Sequence, residues 1–203
     1  KSLVVVAPWK IKGLDISKSG FVFSRMGCLE MLTSTDEAGN IVGLLADSWS
    51  ISDDKLTWTF FLKKNVTFHD KTPMTAKEVA QSLNYSLEKK GQISKAGIVS
   101  IKPADTYTLN ITTKAPFSSL PAHLAHYSAG IVSPDSFNEK GEITKIYATG
   151  QYIFTKGEGD TRFLFKANPN YWGEKPAVEF AEYQAVPKGE TRGLMMKSGQ
   201  ADL

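Results

Sequence analysis

The chain has 203 residues, 41% hydrophobic and 22% charged, with 24 basic and 21 acidic residues and a formal net charge of +3. It can bury one large core or two small ones, and its dispersed charge, with no basic stripe interleaved with aromatics, argues against nucleic acid as a partner. A single cysteine, Cys28, excludes an intrachain disulfide and a cysteine-built zinc cluster. The longest apolar runs fall far below the ~18 residues of a membrane span, and no charged n-region with an apolar h-region opens the sequence. A cytosolic protein, or one whose targeting peptide has been removed, fits these bounds.

In chain order, Ser2 to Ala7 (SLVVVA) is a continuous apolar run of the kind used for a strand buried on both faces. The segment PWKIKGLDISKSG reads as loop, and Phe21 to Leu32 as a helix, with Cys28 a small buried hydrophobe within it. Ala38, Gly39 and Asn40 mark a turn. Two strand-like runs, broken by Asp53, Asp54 and Lys55, give a hairpin in which Trp49, Ile51, Trp58 and Phe60 alternate onto one face. The clearest helix begins at Thr75, an N-cap with Glu78 in the capping-box position; Val79, Leu83 and Leu87 repeat every four residues and Gly91 closes it.

Tyr107, Leu109 and Ile111 alternate as a further strand, SSLPAHLAHYS reads as a helix, and Gly150 to Lys166 reads as strand, GEGD turn, strand. Asn168, Pro169 and Asn170 then end the strand in a turn, since proline removes a ladder donor. Tyr171 and Trp172 lie on the loop beyond it, which has to fold back onto something apolar. Glu190 to Ser198 reads as a helix and Ala201 to Leu203 as the first residues of another strand, a chain ending typical of a fragment. Strands and helices mix without strict βαβ alternation, so the class is α+β or a composite of two layers.

The density of matches in LADSWSISDDKLTWTFFLKKNVTFHD, PMTAKEVAQSL, AGIVSP, TGQY, NPNYWGEKP and PKGETRGLMMKSGQADL resembles the ABC-transporter solute-binding proteins that carry oligopeptides, dipeptides and nickel complexes, family 5. The resemblance covers nearly the whole chain in the family's order. It departs at Lys55 and Lys71, where the family usually has glycine, and at Gln151, where it has proline. It implies a mixed α+β fold: part of lobe I of a two-lobed periplasmic-binding-protein fold with an inserted α+β subdomain. Residues 1–32 would form the first part of lobe I, 33–167 the insertion and 168–203 the return, with the second lobe lying outside this chain. Closure on a ligand needs both lobes, so this portion by itself is expected to bind weakly. Tyr171 and Trp172 become packing residues at the junction of insertion and lobe.

The resemblance also implies a role. The protein would be an extracytoplasmic or periplasmic monomer, lipid-anchored in a Gram-positive cell and freed of its signal peptide. It would capture a peptide or a small metal chelate such as a nickel complex for an ABC permease in the membrane. A ligand-sensing module of the same fold and an enzyme are the rivals, but no nucleophile elbow, phosphate loop or catalytic spacing is present, and no cofactor is expected.

The ligand cleft would draw on the first loop and the helix after it, through Ser19, Gly20, Phe21, Phe23 and Arg25, with Arg25 suited to a carboxylate. From the segment before AGIVSP it would draw on His126 and Tyr127. His123 and His126, three apart on one helical face, could together reach a nickel or zinc ion. His69 and Asp70 are read as a hairpin element. The connection EKKGQISKAG lacks the arginine and tryptophan that nickel-chelate members place there.

Overall fold

The computed structural model describes residues 2–203, and its first element is the apolar run, strand β1 (Ser2–Ala7). Helix α1 (Ile16–Arg25) follows, then β2 (Thr33–Thr35), β3 (Ile41–Gly43), β4 (Ala46–Ile51), β5 (Thr57–Leu62) and α2 (Ala76–Glu88). The rest of the chain forms β6 (Ile98–Asp105), β7 (Thr108–Thr113), α3 (Leu120–Leu124), β8 (Tyr152–Glu158), β9 (Arg162–Ala167), β10 (Phe180–Ala185) and α4 (Gly189–Lys197). The fold is mixed α and β, as expected.

Two four-stranded sheets and two cores organise these elements. The sheet β4-β5-β7-β6 is antiparallel throughout. Its register sets Trp49 opposite Phe60 and Ile51 opposite Trp58, so the four alternating residues do share a face. Trp58 stacks on Phe60 at 6.3 Å between ring centroids. Helix α2 supplies Val79 and Leu83 to the same core, where they meet Phe60, Leu109 and Ile111 with no exposed surface. Full burial of such a side chain stabilises by roughly 1.5–3 kcal/mol. The second sheet runs β1-β10-β9-β8, with β1 and β10 parallel and the rest antiparallel. Its core gathers Phe23, Phe163, Phe165 and Tyr183, and Tyr85 reaches it from α2, so that helix serves both cores.

The structure corrects several expectations. Helix α1 starts at Ile16, not Phe21, because Asp15 caps it by accepting from the Ser17 amide at 3.0 Å. It ends at Arg25 because Gly27 turns left-handed at φ 64°, leaving the Cys28 and Leu29 amides to bond the Phe23 carbonyl. Cys28 is therefore buried as expected but lies beyond the helix; burial pushes its thiol up to about 12. At the end of α2 the left-handed residue is Lys90, at φ 56°. Gly91 is needed there for space, since a Cβ on it would stand 2.4 Å from Ser86 Oγ.

Strand β1 is half-buried along its length rather than enclosed on both faces. Its second edge takes the last residues of the chain: the Val6 amide donates to the Leu203 carbonyl at 2.8 Å, and the Asp202 amide to Val4 at 2.8 Å. Part of the expected insertion, residues 33–167, packs with the core built on β1 and α1. Val132, Ile146, Ala148 and Tyr152 already belong to the second core, and β8 and β9 share a sheet with β1. Among the described residues no helix is long and apolar enough to cross a membrane.

Candidate functional site

Loop Pro8–Asp15 leaves the C-terminal end of β1, the position from which open sheets present their ligand crevices. Helix α1 returns beside it, and the spacing of Lys18, Phe21 and Arg25 puts them on one stripe. With Trp9 and Tyr127 these three line a cleft of about 310 Å³. The Phe21 ring stands edge-on to Trp9 at 5.7 Å and to Tyr127 at 5.9 Å. The Arg25 guanidinium lies 4.8 Å from the Trp9 ring centroid, an arrangement that holds the cation in place while leaving its N–H edge available. Tyr183 anchors the loop by donating to the Trp9 carbonyl at 2.6 Å.

Of the expected ligand residues, Phe21, Arg25 and Tyr127 meet in this cleft, with His126 tilted against Tyr127 at 4.0 Å between ring centroids. Phe23 does not. It points to the opposite side of α1, has no exposed surface, and packs on Phe154, Phe163 and Phe165. Ser19 is buried as well. Gly20 contributes through its size, because a Cβ there would come 3.0 Å from the Tyr127 carbonyl oxygen and 3.1 Å from its ring. Trp9, 45% exposed, was not singled out from sequence; its position just after a strand was the available signal. Lys18 was missed although its spacing to Phe21 and Arg25 was visible. It pairs with Asp15 at 3.9 Å. Burial opposes ionisation of Asp15, but hydrogen bonds from Ser17 and Tyr85 together with Lys18 hold its carboxyl below the usual range.

The two histidines do not share a helix. α3 stops at Leu124, and His126 instead caps the short 3₁₀ turn Tyr127–Ala129. His123 Nδ1 lies 3.0 Å from the Ser119 carbonyl, and His126 Nδ1 lies 2.9 Å from Ser128 Oγ. Burial, with Lys95 and His123 adding to it, keeps His126 below its ordinary pKa and so neutral further into acid. Among the described residues no three His, Cys, Asp or Glu side chains come together in a group that could hold a metal ion.

A buried carboxylate occupies the junction between the cores. Glu30 is 7% exposed and accepts from the Tyr171 hydroxyl at 2.7 Å, Trp172 Nε1 at 3.0 Å and Thr149 Oγ1 at 2.7 Å. Three neutral donors thus satisfy a charge that burial would otherwise penalise heavily. The Trp172 ring also packs on the first core and carries Lys63 at 5.5 Å.

The family pattern of bacterial extracellular solute-binding proteins, family 5 (middle), matches residues 40–203. The chain belongs to this family. Among family relatives it is similar to the nickel-binding periplasmic protein of Escherichia coli (strain K12), 28% identical over 190 residues, which are 90% of this chain and 36% of that protein. It is also similar to the probable D,D-dipeptide-binding periplasmic protein DdpA of the same strain, 30% identical over 180 residues, covering 84% of this chain and 34% of that protein. The crystal structure of the nickel ABC transporter from Bacillus halodurans superposes with a TM-score of 0.90 at 28% identity, over 100% of this chain and 42% of that one. The chain therefore spans about a third of the length of the curated relatives it matches, and its fold is that of a partial lobe within the family's architecture.

Proposed function

We propose that this chain forms one ligand-facing wall of an extracytoplasmic receptor, which captures a peptide or a small metal chelate such as a nickel complex and passes it to an ABC permease. The observation that carries this reading is the cleft in which Arg25 stacks on Trp9 beside Phe21 and Tyr127. Aromatic walls supply apolar area, and a guanidinium held by stacking is ready to fork onto a ligand carboxylate. The relatives' names, nickel-binding and D,D-dipeptide-binding, support the same ligand classes and a binding role rather than an enzymatic one. Their periplasmic location supports an extracytoplasmic place for this protein, working as a monomer with its permease.

The test is calorimetry on the full-length protein with a dipeptide mixture and with a nickel–carboxylate chelate. Arg25→Gln and Trp9→Ala are each expected to weaken binding of the true ligand at least tenfold, about 1.4 kcal/mol, without moving the thermal midpoint. Unchanged affinity in both variants would remove this cleft from the binding site.

A further inference from the structure

His69 lies in the loop between β5 and α2, and its ring is engaged at both nitrogens by the segment that leads into β8. The Ala148 amide donates to Nδ1 at 3.3 Å, Nε2 stands 3.0 Å from the Gly150 carbonyl, and the His69 amide donates back to the Ala148 carbonyl at 2.8 Å. A backbone amide can only donate, so Nδ1 is the acceptor and the proton sits on Nε2, directed at Gly150. The imidazole is thus neutral in one defined tautomer.

The residues it grips are a crossing point. The Gly150 amide donates to the Cys28 carbonyl at 3.1 Å and the Tyr152 amide to Gly27 at 3.0 Å, both at the exit of α1. Asn168, at the exit of β9, donates its side-chain N–H to the Gly150 carbonyl at 3.1 Å. A Cβ on Gly150 would stand 2.3 Å from the Gly27 oxygen, so the two segments pack backbone against backbone at this crossing. Thr149, between the two gripped residues, holds Glu30.

We propose that His69 is an acid-sensitive latch joining the two cores of this chain. Protonation would place an N–H on Nδ1 facing the Ala148 N–H, breaking that bond and loosening residues 148–150 from the β5–α2 loop. The charged group acting on His69 is Asp70, on its own loop. Asp70 is itself committed, accepting from the Thr72 amide at 2.9 Å and from the Ser133 hydroxyl. Burial lowers the imidazole pKa, against the opposing pull of the Gly150 and Ile146 carbonyls and of Asp70. A lowered folded pKa means that the latch is fully closed above the unfolded value and weakens as pH falls through it.

Hydrogen exchange on the 203-residue chain, corrected for intrinsic rates, is expected to show Ala148 and Gly150 losing protection between pH 7.5 and 5. The loss can reach about thirtyfold, from an unperturbed imidazole pKa of about 6.5. In His69→Gln that pH dependence is expected to vanish. Nitrogen-15 shifts of His69 in the unaltered chain should report the Nε2–H tautomer at neutral pH, which keeps the test decisive if the variant does not fold. An Nδ1–H tautomer, pH-independent protection, or an equal acid loss in His69→Gln overturns the proposal.

Discussion

The Tyr171 hydroxyl donates to Glu30 Oε1 at 2.7 Å across 141 positions of sequence, and the neighbouring Trp172 indole reaches the other oxygen of the same carboxylate. The aromatic pair after β9 is therefore not only apolar filler. It closes the junction between the two cores by supplying two of the three donors to a buried charge. Glu30→Ala would orphan Tyr171, Trp172 and Thr149 at once, and each buried unpaired group costs about 1–3 kcal/mol. Urea denaturation of Glu30→Ala should show a loss of roughly 3 kcal/mol or more, and a loss below about 1 kcal/mol would contradict the junction's dependence on this residue.

Phe21 and Phe23, two positions apart on α1, should separate cleanly by stability. Phe23→Ala empties a site enclosed by three phenylalanine rings and is expected to cost about 3–5 kcal/mol. Phe21, partly exposed in the cleft, should cost well under half of that when truncated but reduce ligand affinity in the full-length protein. Equal stability losses would show that both belong to the core.

Lys55 and Lys71 sit at φ 60° and 72°, in left-handed turns that favour glycine. A left-handed conformation costs an L-residue about 1–2 kcal/mol, partly offset by the roughly 0.5–1 kcal/mol of extra chain entropy that glycine loses on folding. Lys55→Gly and Lys71→Gly are each expected to leave stability unchanged or to raise it by up to about 1 kcal/mol. A clear destabilisation in chemical melts would mean that the lysine side chains stabilise these turns in some other way.

His123 and His126 offer a measurable choice between cargo types. Because burial holds His126 below its ordinary pKa, any metal capture through its neutral ring would persist to a lower pH than through an unperturbed imidazole, and would then fail as acid protonates it. With each Nδ1 already near a hydrogen-bonding oxygen, the double alanine variant of the full-length protein is expected to change chelate affinity less than tenfold. Tight binding of chelator-free nickel that weakens with acid and vanishes in that variant would instead make these two histidines a metal site.

Period-two and period-four patterns made the β4–β5 hairpin and α2 legible residue by residue, because each buries its own repeating face. Helix α1 was misplaced for a local reason. Its start depends on a single carboxylate, Asp15, and its end on one left-handed glycine, Gly27, while the apolar content around Phe21 to Leu32 favours a later window. The cleft was half visible: Phe21 and Arg25 share a helical stripe, but Trp9 enters only through the path of a loop. Phe23 was misassigned because aromatic character does not reveal which side of a helix faces the core. The Glu30 junction, joining segments more than a hundred residues apart, leaves no local pattern at all.

Strand β1 pairs with β10 from Ser2 opposite Phe180 to Ala7 opposite Ala185, and this sets an order of assembly. The hairpins β4–β5 and β6–β7 can form early, since their partners are adjacent in sequence. Strand β1 has to wait, unpaired, until β10 is available, and its pairing bears the loop-closure entropy of everything between. An apolar SLVVVA segment left without its partner for that interval is a ready template for intermolecular pairing. Strand β1 is thus the element of this chain whose pairing depends most on how quickly the intervening chain closes.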